Sequence, residues 1–248
     1  MPTFNSPTSR READQAPGIV CRDTTAMILA GGLGTRLRAA VPGRQKVIVP
    51  VAGRPFLLRL LDQLHEVGVR KVVICTGYQA GQVVEALGER YRSMRLVYSQ
   101  ESKPLGTAGA LRQALPHLDS EPVLVLNGDS FCELDFPALL AARDAPATIV
   151  VREVPDTTQG GRVEFEADGV VTRFAEKEAE RSRGWISAGI YLLRREVIER
   201  IPTDRAVSIE REVFPLWVGR GLRVFRASGR FLDIGTPDSY IAAQGLFS

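Results

Sequence analysis

A glycine-rich segment directly follows the first apolar run of the chain. Gly31, Gly32 and Gly34 allow a tight backbone turn whose N–H groups can point at one centre. Arg36 adds a permanent charge and planar donors, and this combination suits phosphate oxygens. The segment lacks both the Gly-Lys-Ser/Thr ending of a Walker loop and the G-x-G-x-x-G spacing of a dinucleotide-binding loop. The alternative is a tight strand-to-loop turn without a ligand.

Lysine is rare in this chain, which makes its positions informative. The basic residues comprise 28 arginines and four lysines, namely Lys46, Lys71, Lys103 and Lys177. Lys46 lies in a segment rich in Gly, Pro and Val, where a lysine instead of an arginine indicates that a compact ammonium is needed. An exposed loop lysine is the alternative.

Two aspartates are candidate metal ligands. Asp129 follows the apolar run 123–126 in the sequence Asn127-Gly128-Asp129, and Asp233 lies in Asp-Ile-Gly-Thr-Pro. An acid at the carboxyl end of a buried strand in an open α/β sheet lies where ligands bind, and carboxylates suit Mg²⁺ that carries phosphates. The alternative for Asp129 is a cap on the next helix.

The elements that must position these residues alternate between strand and helix. Apolar runs predict strands at about 26–30, 72–76, 95–98, 122–126 and 147–151, and helical spacing predicts helices at about 56–67, 79–87 and 107–115. Continuous apolar runs separated by amphipathic segments favour βαβ units, and therefore an α/β fold with a mainly parallel sheet flanked by helices.

The second half of the chain has a different pattern. Residues 163–166 and 170–174 flank Asp168-Gly169, which predicts a hairpin with a tight turn. Another strand is predicted at 185–193, and helices at about 195–200, at 208–217 and after Thr236. We therefore expect an added antiparallel region in residues 152–248, next to a nucleotide-binding half at 25–151. Residues 1–24 are predicted to be a mobile N-terminal extension.

Composition excludes several classes of protein. The chain has 248 residues with a net charge of +3 and no Lys/Arg-rich run, so nucleic acid is not an expected partner. No apolar run approaches the roughly 20 residues of a membrane span, and the first residues lack the apolar core of a signal peptide. Three cysteines without C-x-x-C spacing indicate neither a disulfide framework nor a zinc site. We expect a cytoplasmic protein without a membrane partner.

The motifs and their order resemble the sugar nucleotidyltransferases, also called NDP-sugar pyrophosphorylases. In order they are G-G-x-G-x-R-L from Gly31, K-x-x-x-P-V-x-G-x-P from Lys46, P-L-G-T-A-G from Pro104, N-G-D from Asn127, E-K at Glu176 and D-I-G-T-P from Asp233. The resemblance covers residues 26–248 and implies a single catalytic domain with a Rossmann-like sheet, the nucleotide-diphospho-sugar transferase fold. Segments around Asn127, Ser208 and Asp233 most resemble D-glycero-α-D-manno-heptose 1-phosphate guanylyltransferases, with mannose-1-phosphate guanylyltransferases as the nearest relatives.

The resemblance implies that a sugar 1-phosphate attacks the α-phosphorus of an NTP, with GTP and the heptose 1-phosphate as expected substrates and Mg²⁺ as cofactor. Arg36, Lys46, Asp129 and Asp233 would be catalytic, and the two aspartates would hold the metal. The nucleotide-binding residues implied are Leu29, Gly31, Gly32, Gly34, Thr35, Gly106, Thr107, Asn127 and Gly128. Independently of the resemblance, Thr107 is also placed to cap the helix that it begins.

The sugar-phosphate site implied by the resemblance comprises Gly161, Glu176, Lys177, Ser187 and Gly189. By pattern alone, Glu176-Lys177 also fits a solvated charge run, and Gly189 would let a sugar hydroxyl approach the backbone. Three positions depart from the family: Gln45 replaces a proline before Lys46, Gly160 replaces a tyrosine, and Ser187 replaces an asparagine. We expect Gln45 to loosen the loop that carries Lys46.

Other functions remain open on the sequence. Mannose 1-phosphate, or another pair of NTP and hexose 1-phosphate, is the alternative substrate set, and the base is not decided by side chains. A catalytically silent paralogue that binds NDP-sugar is the alternative of another class, although it is disfavoured because all the charged residues are present. A glycosyltransferase is disfavoured because Asn127-Gly128-Asp129 is not an Asp-x-Asp motif. A homodimer is one alternative for the oligomeric state.

Overall fold

The computed structural model describes residues 21–37, 40–176 and 181–247. Its strands are β1 (Thr25–Ala30), β2 (Pro50–Val51), β3 (Arg54–Pro55), β4 (Lys71–Thr76), β5 (Arg90–Tyr91), β6 (Met94–Gln100), β7 (Val123–Asn127), β8 (Ser130–Cys132), β9 (Ala147–Val154), β10 (Gly161–Phe165), β11 (Val171–Glu176), β12 (Gly184–Leu193), β13 (Leu222–Arg226) and β14 (Phe231–Asp233). Its α-helices are α1 (Phe56–Glu66), α2 (Ala80–Leu87), α3 (Gly106–Ala114), α4 (Phe136–Ala141), α5 (Arg195–Glu199), α6 (Phe214–Trp217) and α7 (Pro237–Leu246).

Strand β1 lies at the centre of a parallel core. It pairs in parallel with β4 and β7, and β4 pairs in parallel with β6, which places the carboxyl ends of these strands at one edge. Ala26, for example, lies between Val72 and Leu124. The predicted α/β fold with a mainly parallel sheet is confirmed.

Both faces of this parallel core are covered by helices. Helix α1 buries Leu57, Leu60 and Leu64 against one face of the sheet, while α3 buries Ala108 and Leu111 against the other. A strand covered on both faces has no solvent side, and this explains why the predicted strands are continuously apolar.

The second half of the chain extends the same sheet with antiparallel strands. Strand β12 pairs antiparallel with β7, β9 and β10, and β10 pairs antiparallel with β11. The predicted hairpin forms, and Gly169 has a φ of +88° in its turn. The register of β12 against β9 is interrupted between Ser187 and Tyr191. This interruption contains Gly189.

Several short elements were not predicted. Strands β8 and β14 form a separate two-stranded ladder, β2 and β3 form another, and β13 joins the main sheet beside β9. The helix expected at 208–217 begins instead with a π-helical turn, Ile209–Val213, before α6. The two separate ladders have only two or three residues in each strand, which is too short to show a hydrophobic period, so the sequence does not reveal these two ladders.

The packed part of the chain begins before residue 25. Cys21 and Thr24 are buried, although both lie in the segment that the sequence predicts to be mobile. Residues 1–20 of that segment lie outside the described residues. In the part of the chain that the structure describes, no helix is both long and apolar enough to cross a membrane.

Candidate active site

A cleft of about 1160 Å³ opens where the parallel strands end. The loops that follow β1, β4, β6 and β7 line it, together with residues of β12 and the segment after β14. Because the sheet order is β12-β7-β1-β4-β6, these elements follow one another along the length of the cleft. An open α/β sheet binds ligands at this edge.

The short β8–β14 ladder brings the two predicted aspartates together. Ser130 is the register partner of Asp233, and Asp129 immediately precedes Ser130. The Ser130 hydroxyl lies 3.3 Å from Asp129 Oδ1 and 3.1 Å from Asp233 Oδ2. Residues that are 104 positions apart in the sequence therefore share one hydroxyl group.

Lys46 lies against this pair of carboxylates. Its Nζ is 2.5 Å from Asp129 Oδ2, and the lysine side chain is 11% exposed. Burial acts to raise the pKa of Asp129, but the charge and hydrogen bond of Lys46 outweigh burial and the pKa is lowered. Burial, and next the negative charge of Asp129, raise the pKa of Asp233. One ammonium thus faces two carboxylates.

The donor set fits a divalent cation that arrives with other ligands. Among the described residues, no group of three or more His, Cys, Asp or Glu side chains is arranged to hold a metal. Asp129 and Asp233 supply oxygen ligands, and the raised pKa of Asp233 means that additional positive charge would stabilise its ionised form. Mg²⁺ is commonly held by one or two carboxylates together with phosphates and water.

The glycine loop lies beside Lys46. Gly31, Gly32 and Arg36 line the cleft, as do Leu29 and Lys46. Gly34 and Thr35 are not among the residues that line it. Gly34 has a φ of +59°, and a Cβ at this position would lie 3.1 Å from Lys46 Cβ, so this glycine accommodates the lysine stem.

Gln45 does not loosen the loop, contrary to the expectation from sequence. It is 1% exposed and donates a 2.7 Å hydrogen bond from Nε2 to the carbonyl of Ala30. Its Oε1 accepts a 2.6 Å hydrogen bond from the backbone of Val47. The amide side chain therefore forms bonds that a proline ring has no donor or acceptor to make, and it ties the Lys46 segment to the end of β1.

The segment at the start of α3 packs closely against residues 207–210. Gly106 lines the cleft with a φ of +73°, and a Cβ there would lie 2.4 Å from the carbonyl oxygen of Val207. Thr107 does not cap its own helix, because α3 begins at Gly106 with no side-chain cap. Its hydroxyl instead accepts a bond from the Ile209 amide at 2.8 Å and donates to Glu210 Oε2 at 3.0 Å.

The predicted sugar-site residues that are described all line the other end of the cleft. They are Gly161, Glu176, Ser187 and Gly189. Lys177 lies outside the described residues. The Ser187 hydroxyl accepts a 3.2 Å bond from the Gly189 amide, and a Cβ at Gly189 would lie 2.9 Å from Asn127 Nδ2. The packing of Asn127, together with a φ of +72°, therefore requires glycine at position 189.

In the Asn127-Gly128-Asp129 segment, the first and third residues line the cleft and the glycine packs against β1. Asn127 lines the cleft, and its buried Oδ1 has no hydrogen-bond partner among the described residues. Gly128 does not line the cleft. Its amide donates a 2.9 Å bond to the Leu29 carbonyl, and a Cβ would lie 2.6 Å from that oxygen. The glycine allows β7 and β1 to remain close beyond the end of their ladder.

Glu101 is a cleft residue that sequence reasoning missed. It follows β6, and its Oε2 accepts a 3.0 Å bond from the Leu105 amide. Its Oε1, which makes no hydrogen bond to another described residue, faces Gly77 and Gly31 and would lie 2.5 Å from a Cβ on Gly77. Burial raises the pKa of this carboxyl. The rule that selected Asp129 requires an acid just past a continuously buried strand, whereas β6 is only partly buried, so this rule does not identify Glu101.

Two exposed apolar side chains lie in the same region. Leu33 is 50% exposed and Tyr78 is 38% exposed, and both line the cleft. Exposed aromatic and aliphatic groups at a cleft are available to contact the faces of a planar ligand. Glu210, which is not among the predicted site residues, also lines the cleft and accepts a hydrogen bond from the Tyr191 hydroxyl at 3.3 Å.

Comparison with known proteins supports these observations. The profile of the family described as Nucleotidyl transferase matches residues 25–247. The chain is 35% identical over 232 residues to mannose-1-phosphate guanylyltransferase catalytic subunit beta of Drosophila melanogaster, covering 90% of this chain and 63% of that protein. It is 37% identical over 232 residues to mannose-1-phosphate guanyltransferase of Schizosaccharomyces pombe, covering 90% of this chain and 64% of that protein. The chain thus spans slightly less than two thirds of the length of these curated relatives.

A solved structure matches over the whole of its own length. HddC from Yersinia pseudotuberculosis superposes with a TM-score of 0.82 at 32% identity, covering 91% of this chain and 100% of that one. The same protein complexed with GMP-PN superposes with a TM-score of 0.81 at 31% identity.

Proposed function

Since the chain belongs to the nucleotidyl transferase family, we propose that it transfers a nucleotidyl group from an NTP to a sugar 1-phosphate and releases pyrophosphate. The observation that carries the proposal is the grouping of Lys46, Asp129 and Asp233 midway along a cleft with room for a ligand on either side. Such a grouping matches a reaction that joins two phosphorylated substrates.

The proposed reaction needs no protein nucleophile. A phosphate oxygen of the sugar 1-phosphate forms a bond to the α-phosphorus, and the bond from that phosphorus to the bridging oxygen of the β-phosphate breaks. The electron pair leaves with pyrophosphate, and no proton needs to move. Catalysis then consists of positioning the substrates and neutralising negative charge.

The side chains at the centre of the cleft would provide this neutralisation. Lys46 is fixed by Asp129 and would neutralise charge on the triphosphate near the α-phosphorus. Arg36, whose Nη2 lies near the Asp233–Gly235 turn, would hold the leaving phosphates. Asp129 and Asp233 would hold Mg²⁺. When bound, the ion would supply a positive charge to the phosphate oxygens.

The strand order supports an assignment of the two substrates to opposite ends of the cleft. The loops after β4 and β6 lie on one side of the central group, and β10, β11 and β12 lie on the other. We assign the nucleotide base to the first side, where Leu33, Tyr78 and Glu101 lie. We assign the sugar to the second side, beside Glu176 and Ser187.

Glu101 supports guanine as the base. Guanine presents two adjacent donors, N1–H and the 2-amino group, whereas adenine has an acceptor at N1 and no amino group at C2. A carboxylate only accepts hydrogen bonds, so it complements guanine and repels the N1 lone pair of adenine. The named guanylyltransferase relatives and the neighbour complexed with GMP-PN support the same choice.

A short side chain at the other end supports a large sugar. Ser187 lines this end of the cleft, at a position where the family resemblance predicts the longer asparagine. This favours D-glycero-α-D-manno-heptose 1-phosphate, which the sequence resemblance implies. Mannose 1-phosphate is the second candidate, because the curated relatives are named for it.

A matrix of substrates tests the proposal. The protein is incubated with magnesium and each pair drawn from GTP, ATP, UTP and CTP and from heptose, mannose and glucose 1-phosphates, and the NDP-sugar product is identified by mass. We expect GDP-heptose as the main product and its loss on chelation of the metal. If GDP-mannose is the main product, mannose 1-phosphate would replace the heptose phosphate as the proposed substrate. If the protein binds NDP-sugar but releases pyrophosphate from none of the substrate pairs, the catalytically silent alternative would be favoured.

A further inference from the structure

Gln45 lies at the junction between the glycine loop and Lys46. Its side chain is 1% exposed, yet it contributes to the wall of the cleft. It directly precedes Lys46, the residue that contacts Asp129. The position of Gln45 is compatible with either a structural or a functional role. The hydrogen bonds of its side chain show which segments it holds.

Each polar atom of the Gln45 side chain holds a different segment. Oε1 accepts the amide of Val47 at 2.6 Å and so caps the short 3₁₀ turn Lys46–Ile48. Nε2 donates to the Ala30 carbonyl at 2.7 Å and to the Gly32 carbonyl at 3.4 Å. One side chain therefore fixes both the turn that carries Lys46 and the loop that carries the glycines.

Helix α2 holds the Gln45 backbone from the other side. The Gln45 amide donates to Gln82 Oε1 at 2.9 Å, and Gln82 Nε2 donates to the Gly43 carbonyl at 3.0 Å. These bonds fix the main chain of Gln45 before its side chain reaches the glycine loop. A buried amide in such a network is costly to replace, because each lost partner leaves an unsatisfied polar group.

We propose that Gln45 is a positioning residue that holds the glycine loop and Lys46 in the arrangement that binds a triphosphate. This inference rests on the proposed nucleotide-binding role of the cleft. In a planar trans peptide the carbonyl and the following N–H point in opposite directions. Holding the carbonyls of Ala30 and Gly32 against Gln45 therefore fixes the directions of the N–H groups of Gly31 and Leu33. The same residue fixes the start of the Lys46 turn.

The test compares Gln45→Glu with Gln45→Ala and with a matched control. Gln45→Glu keeps the size of the side chain and the acceptor for Val47, but it places an oxygen against two carbonyls. Gln63→Glu is the control, because Gln63 Nε2 also donates to a backbone carbonyl, that of Cys132 at 3.0 Å, from a position that does not line the cleft. Thermal unfolding verifies that each variant folds.

Binding of GTP and of inorganic tripolyphosphate is measured by calorimetry with magnesium present. We expect Gln45→Glu to raise the Kd of both probes about tenfold at pH 8.5 and Gln45→Ala to raise it severalfold, while Gln63→Glu stays within twofold. A buried carboxyl has a raised pKa and donates a hydrogen bond when protonated. The increase in Kd caused by Gln45→Glu should therefore become smaller as the pH falls toward 6, whereas the increase caused by Gln45→Ala should not.

A purely structural role predicts different results. A lower melting temperature with unchanged Kd in folded Gln45→Glu and Gln45→Ala would overturn the proposal, and so would an equal rise in Kd for Gln63→Glu. Failure of the proposed function is a separate outcome. In that case the wild type forms no NDP-sugar from any pair, while the tripolyphosphate measurements still decide the role of Gln45.

Discussion

At the scale of single residues, the site is a balance of opposite charges at short range. Asp129 has a lowered pKa because Lys46 outweighs the effect of burial, while Asp233 has a raised pKa because burial and Asp129 both disfavour its ionised form. The ionisation of each aspartate therefore depends on the charges beside it. Substitutions here should alter chemistry far more than folding.

Replacement of either aspartate tests the proposed metal site. Asp129→Asn and Asp233→Asn each keep the shape of the side chain but remove one negative charge, and we expect turnover to fall by about a hundredfold or more. Initial rates of pyrophosphate release, measured over a range of magnesium concentrations, provide the comparison. Ser130→Ala serves as a milder control, since it removes only the shared hydroxyl. Full activity in both Asn variants would refute the metal assignment.

The raised pKa of Asp233 also predicts an effect on stability. Because its folded pKa lies above its unfolded pKa, ionisation destabilises the fold at neutral pH, and this penalty disappears below the ordinary pKa of aspartate. Asp233→Asn should therefore raise the melting temperature by about 2–4 °C per kcal/mol of relieved penalty at pH 8 without magnesium. The gain in melting temperature should vanish near pH 3. A lower melting temperature of Asp233→Asn at pH 8 would contradict a raised pKa of Asp233.

Glu101 offers a test of base recognition. Glu101→Gln replaces one acceptor oxygen with a donor, and we expect the preference for GTP over ATP in kcat/KM to decrease by about tenfold to a hundredfold. The comparison of both nucleotides in the same variant separates recognition from general damage. An unchanged preference would remove Glu101 from the base site.

At the scale of elements, the site depends on close approaches between segments that are distant in sequence. The first residue of helix α3 is a glycine, Gly106, and the backbone of Val207 occupies the space that a side chain would need there. The carbonyl of Val207 accepts the Ala108 amide at 2.9 Å, and the Val207 amide donates to the Leu105 carbonyl at 2.8 Å. The end of the cleft that we assign to the base is therefore anchored to the second half of the chain.

Gly106→Ala should break this anchor. The alanine would need both a positive φ and a displacement of Val207, so we expect a loss of about 1–3 kcal/mol in the free energy of unfolding. Gly81→Ala in α2 is the matched control, since a Cβ there meets nothing within 4 Å and helix propensity predicts a gain of about 0.5–1 kcal/mol. Urea unfolding measures both. Equal effects of the two substitutions would contradict the packing argument.

At the scale of the whole molecule, one sheet carries both ends of the cleft. The parallel strands β1, β4 and β6 lead to the end that we assign to the nucleotide, and the antiparallel strands β10, β11 and β12 lead to the end that we assign to the sugar. The β8–β14 ladder lies between these two ends of the cleft, and it holds Asp129 beside Asp233. If this division is correct, substitutions at the two ends should act independently.

Ser187→Asn tests this independence. The longer side chain enters the sugar end, so we expect the ratio of kcat/KM for heptose phosphate to that for mannose phosphate to fall severalfold, with the KM for GTP within twofold of wild type. Combined with Glu101→Gln, the two effects should add in free energy, as they do for separated sites. Strong coupling between the substitutions would indicate that the two ends are not separate.

Part of the site could be predicted from sequence because its residues carry local signals. Gly31, Arg36, Lys46, Asp129 and Asp233 all occur in short motifs, and the structure places all five at the cleft. Glu101, Tyr78 and Glu210 have no such signal, because their significance depends on what lies across the cleft. Thr107 and Gln45 were interpreted from the chain alone, and in both cases the relevant hydrogen-bond partners lie on other segments.

The sequence by itself determined the class of fold, the parallel core and the motifs that could bind phosphate, because hydrophobic period, turn chemistry and charged side chains are local properties. Only the tertiary structure decided which side chains meet. The contact of Asp129 with Lys46, the shared hydroxyl of Ser130 and the bonds of Gln45 to the end of β1 join residues that are far apart along the chain. Such contacts depend on strand register and on the space left by single glycines, and neither is encoded within one segment.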